Sequence, residues 1–160
     1  MVLTHKPFIP LKQDWRASAS FVESLDHCSD ISIPVVVHGA QVARKNYAEL
    51  FYGHYASRPM AFEEFPREAL RENPVNAAIL DRAAKIVSGQ IKCPLLLWSV
   101  HNLGKSDIIS IQRAILAELP VSFFPKRWEF SGYDLAPSLS LSDFARFNSN
   151  KTFVITLERF

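Results

Sequence analysis

Two histidines each stand directly after an apolar run, in Val37-His38-Gly39-Ala40-Gln41 and in Val100-His101-Asn102-Leu103-Gly104-Lys105-Ser106-Asp107. In both places a glycine follows and a helix-like pattern begins. Imidazole titrates near neutrality and ligates zinc, so two converging histidines suit general acid/base work or a shared metal. His38, His101 and Asp107 are the catalytic candidates, with Gln41 as a further polar neighbour. No third ligand stands at a telling spacing, so no metal and no cofactor is assigned. The plainer alternative is a hydrogen-bonded histidine at the end of a strand.

Gly104-Lys105-Ser106 is also the tail of a phosphate-binding loop of the form G-x-x-x-x-G-K-[ST]. The first glycine of that pattern belongs at position 99, which holds Ser99. Without it the backbone lacks the freedom to close around a phosphate. A simpler anion site remains: a helix starting at Ser106 presents free N–H groups and a positive dipole end, with Lys105 beside it. Equally, Ser106 caps the helix and Lys105 is solvated.

Two aromatic stretches suggest binding rather than catalysis. In "NYAELFYGHY" the stripe Tyr47, Leu50, Phe51 and His54 faces a core, leaving Tyr52 and Tyr55 beside it as interface anchors. The alternative packs both tyrosines under the loop carrying Met60, Phe62 and Phe65. In "FFPKRWEF", Lys126, Arg127 and Trp128 alternate basic and aromatic character as a single-stranded nucleic acid platform does. A hairpin tip with a charged turn gives the same letters, and that reading is preferred. Nucleophilic catalysis finds no support, because there is no G-x-S-x-G elbow and neither cysteine has a reactive context. Glu63 and Glu64 are adjacent, so on regular structure they point apart, as in a solvated loop.

The bulk properties narrow the class. The chain of 160 residues is 48% hydrophobic and 21% charged, values of an ordinary globular domain. Eighteen basic residues against 16 acidic ones leave a net charge of +2, too little to imply nucleic acid by charge alone. Pro7 and Pro10 interrupt "MVLTHKPFIPLKQDW", so no signal peptide is expected. Apolar runs such as "PLLLW" fall short of the ~20 residues of a membrane span, so no membrane contact is expected. Cys28 and Cys93 have no metal spacing and are expected to be buried free thiols in a reducing, cytoplasmic setting.

These residues must be positioned by regular elements. Asp14 is placed to cap a first helix with Phe21, Val22, Leu25 and Cys28 on one face. "ISIPVVVHG" reads as a strand, and a helix opens at Gly39. "FPREALREN" reads as a short helix. Asn73-Pro74 then starts a longer one whose stripe is Val75, Ala78, Ile79, Ala83, Ile86 and Val87, closed at Gly89. "CPLLLWSVH" is apolar on both faces, as a central parallel strand is. Ile108, Ile111, Ile115, Leu116 and Leu119 mark the next helix, stopped by Pro120. "VSFF" and "RWEF" read as two short strands around Pro125-Lys126, "LSDFARF" as a helical turn, and "KTFVITLERF" as a half-buried strand. The expected fold is α/β: one domain over residues 1–160, residues 1–13 an extended arm, with helices flanking a mixed, partly parallel sheet of about four or five strands.

The first functional expectation is a non-enzymatic module that binds another protein, as an inhibitor, immunity-type or accessory protein. The alternatives are an enzyme or sensor for a phosphorylated small molecule at the His38/His101 rim, and a nucleic-acid-binding protein.

Overall fold

Why the chain folds as it does begins with its two most apolar segments. In the computed structural model, which describes residues 15–28, 32–37, 60–99, 104–130 and 152–160, they form β1 (Ile33–Val37) and β3 (Leu95–Ser99). The two strands are parallel neighbours, with Val35 opposite Trp98 and Val36 opposite Ser99. Further strands are β2 (Phe62–Pro66), β4 (Phe123–Phe130) and β5 (Thr152–Arg159). They make one five-stranded sheet in the order β2-β1-β3-β5-β4. The β2-β1-β3 part is parallel; β5 runs antiparallel to both β3 and β4. The sheet is thus mixed, as the sequence implies.

Helices cover both faces. Helix α1 (Trp15–Ser24) lies on one side, where Ala19 and Val22 meet Ile33, Val35, Leu95, Trp98 and Val154. Helices α2 (Arg67–Glu72), α3 (Ala77–Val87) and α4 (Lys105–Glu118) supply the other core. There Leu70, Ile79, Ile86, Ile108, Ile111 and Ile115 pack on Val36, Leu96, Phe153, Ile155 and Leu157. The register between β3 and β5 shifts between Leu95 and Leu97. This irregularity turns Leu96 and Leu97 to the same core, breaking the strict alternation of a strand. Trp98 is fully buried, and its indole N–H donates to Ser18 Oγ at 3.3 Å, which ties α1 to the sheet centre.

Several local expectations change. Residues 62–66 form a parallel edge strand rather than a loop and helix start, with Ile33 opposite Phe62 and Val37 opposite Pro66. "VSFF" and "RWEF" are not separate strands about a turn; Phe123–Phe130 is continuous, and Pro125 is accommodated in the last strand of the sheet order. Strand β5 is buried on both faces from Thr152 to Leu157, because α1 covers the side that the alternation assigns to solvent. Helix α3 is capped by Asn76, whose side chain accepts from Ile79 N at 3.0 Å, whereas Asn73 ends α2. Gly89 does close α3 in the left-handed region, with φ of 81°.

The largest correction concerns the cysteines. Cys28 and Cys93 are not free thiols: they form a disulfide with a Cα–Cα distance of 4.7 Å. The fold brings the turn that follows α1 to the segment that leads into β3, a proximity that 65 positions of separation conceal. The expected arm over residues 1–13, the helix opening at Gly39 and the turn in "LSDFARF" lie outside the described residues. No helix among the described residues is long and apolar enough to cross a membrane.

Candidate functional site

Parallel pairing of β1 with β3 sends the chain off the same edge of the sheet after Val37 and after Ser99. Helix α4 begins on that edge, at Lys105. In open α/β sheets this carboxyl-end rim is where ligands gather. The histidines themselves, His38 and His101, lie outside the described residues, as do Gln41, Tyr52 and Tyr55.

The charged groups of the rim are engaged internally. Gly104, not Ser106, is the N-cap of α4, and its N–H donates to Asp107 Oδ2 at 3.3 Å. Arg71 on α2 grips the same carboxylate, Nη2 to Oδ2 at 3.0 Å and Nε to Oδ1 at 3.3 Å. Asp107, a catalytic candidate by sequence, is therefore both the anion at the positive end of α4 and the clamp between α2 and α4. Lys105 Nζ lies 3.4 Å from Glu129 Oε1, and that oxygen is also 3.3 Å from Arg127 Nε. Ser106 is an exposed first-turn residue of α4. The rim thus holds its own anions where an incoming phosphate would sit.

The basic-aromatic stretch is similarly built in. Trp128 Nε1 donates to Thr156 Oγ1 at 3.0 Å, and its ring packs on Phe21 at 4.8 Å between centroids. Lys126 Nζ sits 4.1 Å above the Trp128 ring. Arg127 Nη1 donates to Gln112 Oε1 at 2.9 Å, and Gln112 Nε2 donates to Pro125 O at 2.7 Å. These side chains join β4 to β5, α1 and α4, and the Lys126 ammonium covers one face of the Trp128 ring.

Two sites went unread in the sequence. The first is an apolar cleft of about 310 Å³ between α3 and α4, walled by Leu80, Ala83, Ala84 and Val87 on one side and by Ile115 and Leu119 on the other. Beyond its end, at Pro120, Val121 is 96% exposed and Phe160 85%. Phe160 N donates to Ser122 O at 3.0 Å, which keeps that ring beside the same turn. Leu116 on α4 is also exposed, at 48%. Its place in the helical stripe was legible, but its exposure was not.

The second is a smaller polar cleft at the opposite end of the parallel strands, about 280 Å³, between Ser32, Glu63, Asp81, Arg82 and Lys85. Arg82 lies on the apolar stripe of α3, between Ile79 and Ile86, and that position was the available signal. Burial pushes its guanidinium down to about 10, partly opposed by Glu63. Among the described residues, no group of three or more His, Cys, Asp or Glu is placed to hold a metal.

The fold and these sites define a mixed-sheet α/β protein with helices on both faces. No family model matches the chain, and neither does any curated protein or solved structure.

Proposed function

We propose that this chain is a non-enzymatic protein-interaction module, of the inhibitor, immunity-type or accessory kind, that works by binding a partner protein. The α3/α4 cleft is the observation that carries this reading. Its occupant is an amphipathic helix of the partner. A groove between two helices accepts the apolar face of a third, and Ala83 and Ala84 leave room for close approach. Glu118 on the lip favours a basic residue flanking that face. Tyr52 and Tyr55, which lie outside the described residues, are further candidate anchors by residue type.

The test compares surfaces rather than relying on capture. A protein bound by the natural chain is expected to be lost on Ala84→Arg and retained on Arg113→Ala, which alters α4 outside the cleft walls. Equal binding by the natural chain and Ala84→Arg contradicts the reading.

One observation favours a second reading, a site for a phosphorylated small molecule. The parallel strands β1 and β3 both end, at Val37 and Ser99, on the edge where α4 starts, one residue before His38 and two before His101 in the sequence. This reading requires the two imidazoles to lie within ~8 Å of each other, near enough for one ligand. It predicts inorganic phosphate binding that Lys105→Gln weakens; no binding in the natural chain eliminates it. Nucleic acid binding gains nothing from the pairing of Lys126, Arg127 and Trp128.

Location follows the disulfide. A persistent disulfide belongs to oxidising compartments, and cytosolic ones are transient or redox-sensing. A cytoplasmic role therefore depends on how readily Cys28–Cys93 is reduced.

A further inference from the structure

A buried cation faces a buried disulfide at the amino ends of β1 and β3. Arg82 is 6% exposed. Its Nε donates to Leu95 O at 2.6 Å, its Nη1 donates to Ser32 O, and its Nη2 lies 4.0 Å from Cys93 Sγ. Both carbonyls and the disulfide sulfur are neutral. Among the described residues no carboxylate ion-pairs with Arg82, and Glu63 acts on it only through space. A buried charge without a counter-ion is costly. Opening the disulfide would create one, because a thiolate on Cys93 forms beside the guanidinium.

We infer that Cys28–Cys93 is a reducible clasp, opened by a thiol reductant, whose open form is held as a Cys93 thiolate–Arg82 guanidinium pair. A thiolate of the reductant attacks Cys28 Sγ. The sulfur–sulfur bond breaks and its electron pair leaves on Cys93. A second reductant thiol then attacks the mixed disulfide, and Cys28 departs and takes up a proton. The reductant gives up two electrons and becomes a disulfide; the dithiol protein gains them. Both cysteines are buried, Cys28 at 1% exposure and Cys93 at 0%, so the reductant enters at Cys28 when the exposed Asp26-His27 turn before it opens, whereas Cys93 lies against Arg82. A positive group beside the departing sulfur favours both the step and its product.

Opening the clasp frees the turn after α1 from the start of β3. Helix α1 is then held by noncovalent contacts, among them Ser18 to Trp98 and Phe21 to Trp128 and Phe130. Reduction thus acts on the attachment of one helix and leaves the α2–α4 core in place.

The test equilibrates the full chain with mixtures of reduced and oxidised glutathione, traps free thiols by alkylation and counts them by mass. Arg82→Gln is expected to shift the equilibrium at least tenfold toward the disulfide, about 30 mV. Arg82→Lys, which restores a positive charge, is expected to recover part of that shift. An unchanged equilibrium in Arg82→Gln overturns the inference. Because Arg82 also anchors two carbonyls, the natural chain provides a second readout. After reduction, the ultraviolet absorbance of thiolate is followed against pH. The charged neighbours to account for are Arg82, Glu63 across the cleft, Lys92 next to Cys93, and Asp26 and His27 next to Cys28. One thiol per chain is expected to ionise well below the ordinary value of about 8.5. Two thiols titrating at that ordinary value overturn the inference without any variant.

Discussion

Asp107 is held by Arg71 through two parallel hydrogen bonds, at 3.0 and 3.3 Å, while its Oδ2 also accepts from Gly104 N. One carboxylate therefore closes the start of α4 and fastens it to α2. The two functions separate by mutation. Asp107→Ala removes the acceptor for an N-terminal N–H as well as the ion pair, and is expected to cost about 1–2 kcal/mol. Arg71→Ala removes only a half-exposed pair that solvent screens, about 0.5 kcal/mol. Urea unfolding of both variants checks the order, and equal losses contradict it.

Trp98 is the largest fully buried side chain among the described residues and reaches Ser18 across the α1 interface. Trp98→Ala is expected to cost about 3–5 kcal/mol through lost burial and the cavity left behind. Ser18→Ala removes one neutral hydrogen bond to the buried indole N–H, for about 0.5–1.5 kcal/mol. Thermal and urea unfolding measure both. A Trp98→Ala protein as stable as the natural chain refutes the packing described for this face.

The disulfide closes a loop across 65 positions. Constraint of the unfolded chain at that length contributes about 4 kcal/mol in the chain-entropy account. Replacing both cysteines by serine is expected to lower the unfolding free energy by up to that amount. The natural chain under full reduction should lose a similar amount. A double variant that unfolds with the natural midpoint shows that the bond does not constrain the chain.

The cores were legible where burial is written in residue type. "PVVV" and "LLLW" imply buried strands, and the apolar stripe of α3 follows from its spacing. Strand β2 was not, because Glu63 and Glu64 interrupt any alternation in "FEEFP" and its partner is supplied by β1. The face of β5 covered by α1 was missed for a related reason: Thr152 and Thr156 read as solvent positions, yet α1 and Trp128 bury them. The cysteine pair depends on the meeting of two distant segments, which no local pattern encodes. Arg82 could have been noticed as a charge on an apolar stripe, but its carbonyl and sulfur neighbours come from other segments. The same holds for Asp107, legible as a polar residue near a strand end and not as the partner of Arg71.

Leu116 separates stability from binding. It is about half exposed on α4, so Leu116→Asp is expected to change unfolding free energy by no more than about 0.5 kcal/mol. Leu116 is the exposed neighbour in sequence of the cleft-wall residue Ile115, and loss of its apolar side chain should weaken partner binding at least fivefold. Paired unfolding and binding titrations decide it, and undiminished affinity removes Leu116 from the interface.

The central claim is that a partner helix docks between α3 and α4. Amide hydrogen exchange of the chain with and without its bound partner tests this most directly. The account predicts added protection concentrated in Ala77–Val87 and Lys105–Glu118, strongest at the residues that wall the cleft. Protection confined to the loops after Val37 and Ser99, with both helices unchanged, contradicts it.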